Sequence, residues 1–144
     1  MTPEALAKAC AEAMLAADPA SRSLGMVLEH VGPGVARMAM EVRADMVNGH
    51  GMCHGGFIFT LADSAFAFAC NTYNERTVAQ HCAVTFLRPA QIGMRLVAVA
   101  AERSRAGRSG IYDITVSTAE GRGIAEFRGH SRGLGTKFFE DIGV

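Results

Sequence analysis

One acidic side chain stands inside the most apolar segment of this sequence. Asp63 lies within residues 56–70, whose apolar side chains cover nearly every face of the helix that their spacing predicts. An unpaired carboxylate in a dry core costs on the order of several kcal/mol, or it takes up a proton. Asp63 is therefore either satisfied by a backbone or hydroxyl partner, or a functional carboxylate facing a cleft. We favour the functional interpretation, because perturbed acids cluster at reactive sites.

The second chemical feature is the glycine-rich segment just before this helix, which ends in His54-Gly55-Gly56. Helix N-termini offer unpaired N–H groups and the positive end of the helix dipole. The Gly55 N–H is thus a candidate to bind a carbonyl oxygen that becomes negative during a reaction. In the alternative interpretation, these residues form only a tight turn into the helix.

Gly55 and Asp63 are too far apart to act on one small carbonyl group within one chain. Eight positions separate them, which is about 12 Å along a helix. If both act on the same carbonyl, one of them must come from a second copy of the chain. Two such helices, antiparallel across a two-fold axis, would bring the N-terminus of one near the middle of the other. The spacing therefore predicts a homodimer with two equivalent, shared active sites.

The elements that must position this helix are mostly strands. Strands are expected over 24–31, 35–42, 77–87, 94–102, 111–118 and 124–132. The last three are joined by short turns, which predicts an antiparallel meander. One curved antiparallel sheet of five to six strands around one long central helix accounts for the pattern, and this is an α+β fold.

The length predicts one domain over 1–144, with an N-terminal helix over 1–20, the central helix over 56–71 and a tail over 133–144. Thr2 is the expected cap of the first helix. The zero net charge argues against a nucleic-acid partner. Neither a leader nor a membrane span is recognised, so we expect a cytoplasmic protein without membrane contact and with four free thiols.

Two motifs carry a family resemblance. They are Asn48…His54-Gly55-Gly56…Leu61-Ala62-Asp63 and Phe86-Leu87-Arg88-Pro89. Together they resemble the hotdog-fold acyl-CoA thioesterases, and within these the PaaI group of phenylacetate degradation, over roughly 24–132. The resemblance implies a hotdog fold, dimers that pair edge to edge, and often tetramers built as dimers of dimers. It also implies hydrolysis of phenylacetyl-CoA or hydroxyphenylacetyl-CoA type thioesters, without a metal or other cofactor.

The resemblance also implies roles for individual residues. Asp63 would be the nucleophile or general base, and the Gly55 N–H would polarise the thioester carbonyl. His54 and Asn48 would shape the site around the carbonyl and the attacking water. Contacts to the acyl group or to CoA are expected from Gly56, Ser64, Phe57, Arg88 and Arg108. Met46, Met52 and Phe66 are further candidates to line an aryl pocket, although helix-spaced aromatic residues usually fill core space.

One position departs from the family pattern. Some relatives carry a hydroxyl residue on the strand before the Phe86 motif, where it helps to place water, and Ala79 stands there in this sequence. Gln80, His81 or Ser64 would have to substitute, or the water is held in another way.

Three other functions stay open at this point. A metal site could use His50, Cys53, His54 and His81, although these lie mostly in one glycine-rich loop without a carboxylate. A hotdog hydratase or dehydratase could use His54 with Asp63. A non-catalytic acyl-CoA sensor would need a partner-binding or DNA-binding segment, for which neither end of the chain looks adequate.

Overall fold

Six strands form one antiparallel sheet in the computed structural model, which describes residues 1–140. The strands are β1 (Val27–Gly32), β2 (Val35–Glu41), β3 (Thr77–Phe86), β4 (Arg95–Ala106), β5 (Ser109–Thr118) and β6 (Gly123–Gly133). Their order across the sheet is β1-β2-β4-β5-β6-β3. The predicted meander of the last three strands is confirmed, since β4 pairs with β5 and β5 with β6.

The helices are α1 (Pro3–Ala16), α2 (Pro19–Ser23) and α3 (Gly55–Cys70), and a short 3-10 turn spans Ala44–Met46. Thr2 caps α1 as predicted, because its Oγ1 accepts a hydrogen bond of 3.1 Å from the Ala5 N–H. The prediction of one N-terminal helix over 1–20 is wrong at its end. Pro19 has no N–H and disfavours a helical residue before it, so Asp18 caps a separate helix instead.

The central helix α3 packs against the sheet, and its bounds agree with the predicted 56–71 to within one residue. Its buried side chains are Ile58, Leu61, Ala62, Ala65, Phe66, Phe68, Ala69 and Cys70. Phe66 lies 5.6 Å from Tyr112 and 6.0 Å from Phe127, between ring centroids. A Cβ atom at Gly129 would come within 2.6 Å of the Phe66 ring. Gly129 thus allows this ring to lie directly on β6.

One side of α3 remains uncovered. Gly56 is exposed, and Thr60, Asp63, Ser64 and Ala67 are half-buried. These residues recur at helical spacing, so they form one stripe along α3. The apolar pattern correctly predicted a helix that is covered on most sides, and the stripe is the side that this chain alone does not cover.

Strand β3 forms an edge of the sheet. Within residues 1–140 it pairs only with β6, so its other edge has no partner strand. Val78 and Phe86 are about half exposed, and the inward-facing Cys82 and Val84 are only partly buried. An open edge strand presents unpaired backbone groups to any further strand that can align with it.

The remaining sequence predictions concern the cysteines, the tail and membrane contact. All four cysteines are free thiols, as expected. Residues 141–144 of the predicted tail lie outside the described residues, and Gly133 is the last residue of β6. Over residues 1–140, none of the helices combines the length and the apolar character needed to cross a membrane.

Candidate active site

Asp63 lies at the margin of the core rather than within it. Its carboxylate is half-buried, and no side chain or backbone group among residues 1–140 donates a hydrogen bond to it or forms an ion pair with it. Burial raises the pKa of the Asp63 carboxyl above its ordinary value, because desolvation penalises the charged form. The interpretation in which a local partner satisfies this acid is therefore not supported within the described chain.

Two thiols lie near Asp63, a proximity that the sequence analysis did not predict. Burial chiefly, and the charge of Asp63 in addition, raise the pKa of the Cys70 thiol to about 12. The same two causes raise the pKa of the Cys82 thiol. Protonated thiols are poor nucleophiles, so Asp63 remains the candidate nucleophile of this region. The spacing of Asp63 and Cys70, seven residues or two helical turns, could have indicated that they share a face.

The first N–H groups of α3 differ in whether they have an acceptor. His54 is the N-cap, and its Nδ1 accepts a hydrogen bond of 2.9 Å from the Gly56 N–H. The Phe57 N–H is bonded to the His54 carbonyl at 3.0 Å. Among residues 1–140 the Gly55 N–H has no acceptor. It is therefore available to bind a carbonyl oxygen of a ligand.

The ring of Phe86, from the end of β3, lies against Gly55. A Cβ atom at Gly55 would stand 3.0 Å from Phe86 Cζ, so a side chain at this position has no room unless the ring moves. The two residues share a mostly apolar cavity of about 350 Å³. Its lining residues are Met52, Cys53, Gly55, Ile58, Phe86, Leu87, Arg88 and Pro89. Phe86 was not among the predicted site residues, although an aromatic residue next to Leu87-Arg88-Pro89 was a signal that could have found it.

Asn48 holds the loop before α3 in place. Its Oδ1 accepts hydrogen bonds from the backbone N–H of His50, at 2.9 Å, and of Met52, at 3.3 Å. Its own N–H donates to the Met52 carbonyl at 2.8 Å. Asn48 therefore fixes the loop that leads to His54 and the start of α3.

Asp63 does not line the cavity that contains Gly55. The two residues lie eight positions apart in the same helix, about 12 Å along its axis. One chain thus brings His54, Gly55 and Phe86 together at the N-terminus of α3, holds Asn48 in the loop before it, and leaves Asp63 separate, in the uncovered stripe.

Comparison with known proteins connects this arrangement to a family. The sequence profile described as "Thioesterase superfamily" matches residues 50–125. The chain is 41% identical, over 125 residues, to the acyl-coenzyme A thioesterase PaaI of Escherichia coli K12, and the match covers 87% of this chain and 89% of that protein. The chain belongs to the thioesterase superfamily.

Solved structures of relatives have the same fold as this thioesterase. The E. coli PaaI protein from the phenylacetic acid degradation operon superimposes with a TM-score of 0.93 at 38% identity, over 94% of this chain and 99% of that chain. A mutant of the phenylacetic acid degradation protein PaaI from Thermus thermophilus superimposes with a TM-score of 0.78 at 42% identity, over 81% and 100%. The hotdog fold and the resemblance to the PaaI group are thereby confirmed.

Two of the candidates for an aryl pocket prove to be core residues of the thioesterase. Met46 is fully buried, and Phe66 packs between Tyr112, Phe127 and Gly129, so neither has a surface to offer an acyl group. Met52 does line the cavity at Gly55, where it is half-buried. The hypothesis for Met46 was wrong, because the residue type does not show how completely the rest of the chain covers it, whereas the preferred interpretation of Phe66, core packing, is confirmed.

Three further predicted contact residues lie on or beside α3. The Gly56 N–H is engaged by His54, which leaves this amide unavailable to a ligand in the geometry observed. Phe57 is half-buried, and its ring meets the His54 ring edge to face at 6.3 Å between centroids. Ser64 is half-buried in the same stripe as Asp63.

The two arginines predicted to contact CoA lie in different cavities. Arg88 lines the cavity at Gly55 and donates a hydrogen bond of 3.0 Å to the Gly123 carbonyl. Arg108 lines a smaller, polar cavity together with Cys70, at the C-terminal end of α3. Within one chain, Arg88 and Arg108 thus lie toward opposite ends of the central helix.

The three residues that could replace the strand hydroxyl missing at Ala79 lie in different surroundings. Gln80 is exposed at an irregularity in the pairing of β3 with β6. His81 meets the ring of His130 edge to face, at 5.5 Å between centroids. Ser64 is the one candidate on the same helix face as Asp63.

The residues of the metal-site hypothesis do not form a cluster. Within residues 1–140 no three His, Cys, Asp or Glu side chains come close enough to share an ion.

Proposed function

We propose that this chain hydrolyses acyl-CoA thioesters of the phenylacetyl or hydroxyphenylacetyl type, releasing the free acid and CoA. Membership in its superfamily makes the chain a thioesterase, and the relative with 41% identity acts, by its name, on acyl-coenzyme A. The observation that carries the proposal is the free Gly55 N–H at the wall of a mostly apolar cavity. Such a cavity suits an apolar acyl group whose only strong hydrogen-bonding atom is the carbonyl oxygen.

The reaction needs one electrophilic contact and one base or nucleophile. The Gly55 N–H stabilises the growing negative charge of the thioester oxygen by donating a hydrogen bond to it. In the nucleophilic route, the Asp63 carboxylate adds to the carbonyl carbon, the C–S bond breaks, and CoA leaves as a thiolate that takes up a proton. Water then hydrolyses the mixed anhydride and restores the carboxylate. In the general-base route, Asp63 removes a proton from water as the water oxygen adds to the carbonyl carbon, the C–S bond breaks, and the departing CoA thiolate takes up a proton. Both routes use side-chain and backbone groups of the protein alone.

The active site is shared between two copies of the chain in this proposal. The distance of about 12 Å between Gly55 and Asp63 requires the acid of one copy to meet the N–H of the other. The uncovered stripe around Asp63 and the open edge of β3 lie where a second copy would have to approach. Two β3 strands paired across a two-fold axis would extend the sheet, and two such dimers would form a tetramer.

Two side chains favour an aryl group in the cavity at Gly55. Phe86 offers a half-exposed ring beside the free N–H, and Met52 offers an adaptable thioether. Arg88, which lines the same cavity, is the candidate to bind a phosphate of CoA there, and Arg108 is the corresponding candidate at the second cavity.

Thiol release from a panel of acyl-CoA substrates tests the proposal. The panel contains phenylacetyl, hydroxyphenylacetyl, benzoyl and medium-chain saturated acyl groups, each with and without a metal chelator. We expect the highest kcat/KM for the two arylacetyl substrates, unchanged by the chelator. Absence of thiol release from every acyl-CoA of the panel would refute hydrolysis and favour hydratase chemistry or non-catalytic binding.

Substitution of the proposed nucleophile is the second arm of this test. Asp63→Asn and Asp63→Ala should each lower kcat about 10²-fold or more, because the attacking group or base is removed. Asp45→Asn is the matched control, since Asp45 is an exposed acid in a surface ion pair with Arg43. Equal turnover by all variants and the wild type would refute the role of Asp63.

A further inference from the structure

The loop before α3 uses the acceptor atoms of both its polar site residues internally. His54 Nδ1 accepts from the Gly56 N–H at 2.9 Å, and Asn48 Oδ1 accepts from two backbone N–H groups of the loop. These assignments are unambiguous, because a backbone N–H can only donate. Each side chain therefore has only a donor group left for a ligand. These groups are the Nε2–H of His54 and the Nδ2 amino group of Asn48.

The hydrogen bond to Nδ1 selects one tautomer of the neutral His54 ring. A neutral imidazole has one nitrogen that accepts and one that carries a proton, so acceptance at Nδ1 places the proton on Nε2. An imidazole in this state has no free lone pair with which to remove a proton from substrate or water. A doubly protonated ring could not accept from Gly56 at all, and the cap would be lost.

The same hydrogen bond selects which N–H of the helix remains free. The first N–H groups of a helix have no partner within it, and an N-cap side chain satisfies one of them. Here the cap takes the Gly56 N–H and leaves the Gly55 N–H without an acceptor among residues 1–140. The fit is close, because a Cβ atom at Gly56 would stand 3.1 Å from His54 Nδ1.

We infer that His54 is a positioning residue, the N-cap of α3 in its neutral Nε2-protonated form, which orients the free Gly55 N–H and does not act as a general base. The inference rests on the proposed hydrolysis for its kinetic consequences. It is incompatible with the hydratase or dehydratase alternative, in which His54 would have to take up a proton. The Gly55 N–H and the free nitrogens of the His54 and Asn48 side chains are then all donors, which suits a carbonyl oxygen or an oxyanion.

The protonation state can be measured without any substrate. A long-range ¹H–¹⁵N correlation spectrum at neutral pH distinguishes the two neutral forms of each histidine, and the His54 signals are assigned by their absence in His54→Ala. We expect Nε2 to carry the proton and Nδ1 to be unprotonated. A proton on Nδ1 would overturn the inference. This result is independent of whether any acyl-CoA is hydrolysed, so it separates failure of the inference from failure of the proposed function.

Kinetics with cap-forming substitutions test the positioning role. Asn and Ser are good N-cap residues but have no imidazole, whereas Ala cannot cap. We expect His54→Ala to lower kcat about tenfold or more with a smaller change in KM, because the oxyanion donor is no longer held in place. His54→Asn or His54→Ser should restore kcat to within about threefold of the wild type. His50→Ala, which changes an exposed histidine of the same loop, should have no effect.

Equal impairment of the Asn, Ser and Ala variants would overturn the positioning role and point to direct chemistry by the imidazole. Amide hydrogen exchange provides a reading independent of catalysis. Exchange at the Gly56 N–H should accelerate in His54→Ala and remain slow in His54→Asn. Unchanged exchange in the Ala variant would also contradict the cap.

Discussion

Asp63 and Gly55 lie in one helix, and the surroundings of each determine its chemistry: the protonation of the Asp63 carboxyl and the availability of the Gly55 N–H as a donor. Burial without a partner favours the neutral form of the Asp63 carboxyl. The Gly55 N–H stays free because the neighbouring N–H takes the only cap. The presence of the acid and its conflict with an apolar helix could be read from the sequence. The sequence also named the Gly55 N–H as a candidate donor, but only the structure shows that it is free, because this depends on the rotamer of His54.

Asp63→Asn should increase the free energy of unfolding at neutral pH. The pKa of the carboxyl is raised in the folded state, so above its unfolded pKa of about 4 the unfolded chain ionises more readily than the native one. The stability advantage of the Asn variant should therefore grow as pH rises from about 4 through the folded pKa and then level off. It should vanish at lower pH, where both states of the wild type are protonated.

Urea denaturation of both proteins over a series of pH values measures this difference. Asp45→Asn, which alters an exposed ion-paired acid, should show little change at any pH. If Asp63→Asn remains more stable than the wild type by the same free energy below pH 4, the desolvated Asp63 carboxylate is not the cause of the difference.

At the scale of elements, α3 depends on a close contact with β6. The Phe66 ring lies directly on Gly129 because glycine has no side chain. Asp63 belongs to the same helix but lies in the uncovered stripe. Helix and strand limits followed from local spacing, so most of them were predictable to within a few residues. The pairing of one aromatic ring with one glycine was not, because the two residues are far apart in the sequence.

Gly129→Ala should destabilise the protein by about 1–3 kcal/mol, since the new Cβ would overlap the buried Phe66 ring. Chemical denaturation measures the loss. Gly49→Ala is the control, because nothing lies within 4 Å of a Cβ atom at Gly49 and its φ is not in the left-handed region. In a Phe66→Leu background the cost of Gly129→Ala should shrink, because a smaller side chain leaves room. Strictly additive losses would contradict the proposed overlap.

For the whole molecule, the position of β3 at an edge of the sheet is the decisive feature. The strand order places it beside β6 and leaves its other side open within residues 1–140. The part of the molecule where the proposed second copy would bind contains the open edge, the uncovered helix stripe and the Asp63 carboxylate, which has no partner in the described part of the chain. In the proposed dimer, β3 pairs with its own copy across a two-fold axis at His81, close to the centre of this ten-residue strand.

His81→Asp should weaken the proposed dimer and lower activity with it. Across the two-fold axis the new carboxylate would face its own copy about one strand away, and like charges at that separation repel. Light scattering at micromolar concentration, together with the thiol-release assay, measures both effects. His130→Asp is the matched control, because His130 contacts His81 but lies one strand further from the edge. A wild type that is monomeric at this concentration, or equal dissociation of both variants, would contradict the shared site.

Local spacing along the chain was sufficient to predict the elements, the antiparallel meander, the cap at Thr2 and the anomalous acid in α3. The separation of Gly55 from Asp63 also followed directly, because helical rise is the same in every protein. The tertiary structure was needed for the contacts between distant residues: β3 as the edge strand, Phe86 over Gly55, Phe66 on Gly129, and Met46 buried. The reason is physical. Helix and strand periodicity depend on neighbouring residues, whereas burial and the choice of hydrogen-bond partner depend on how all the elements pack together.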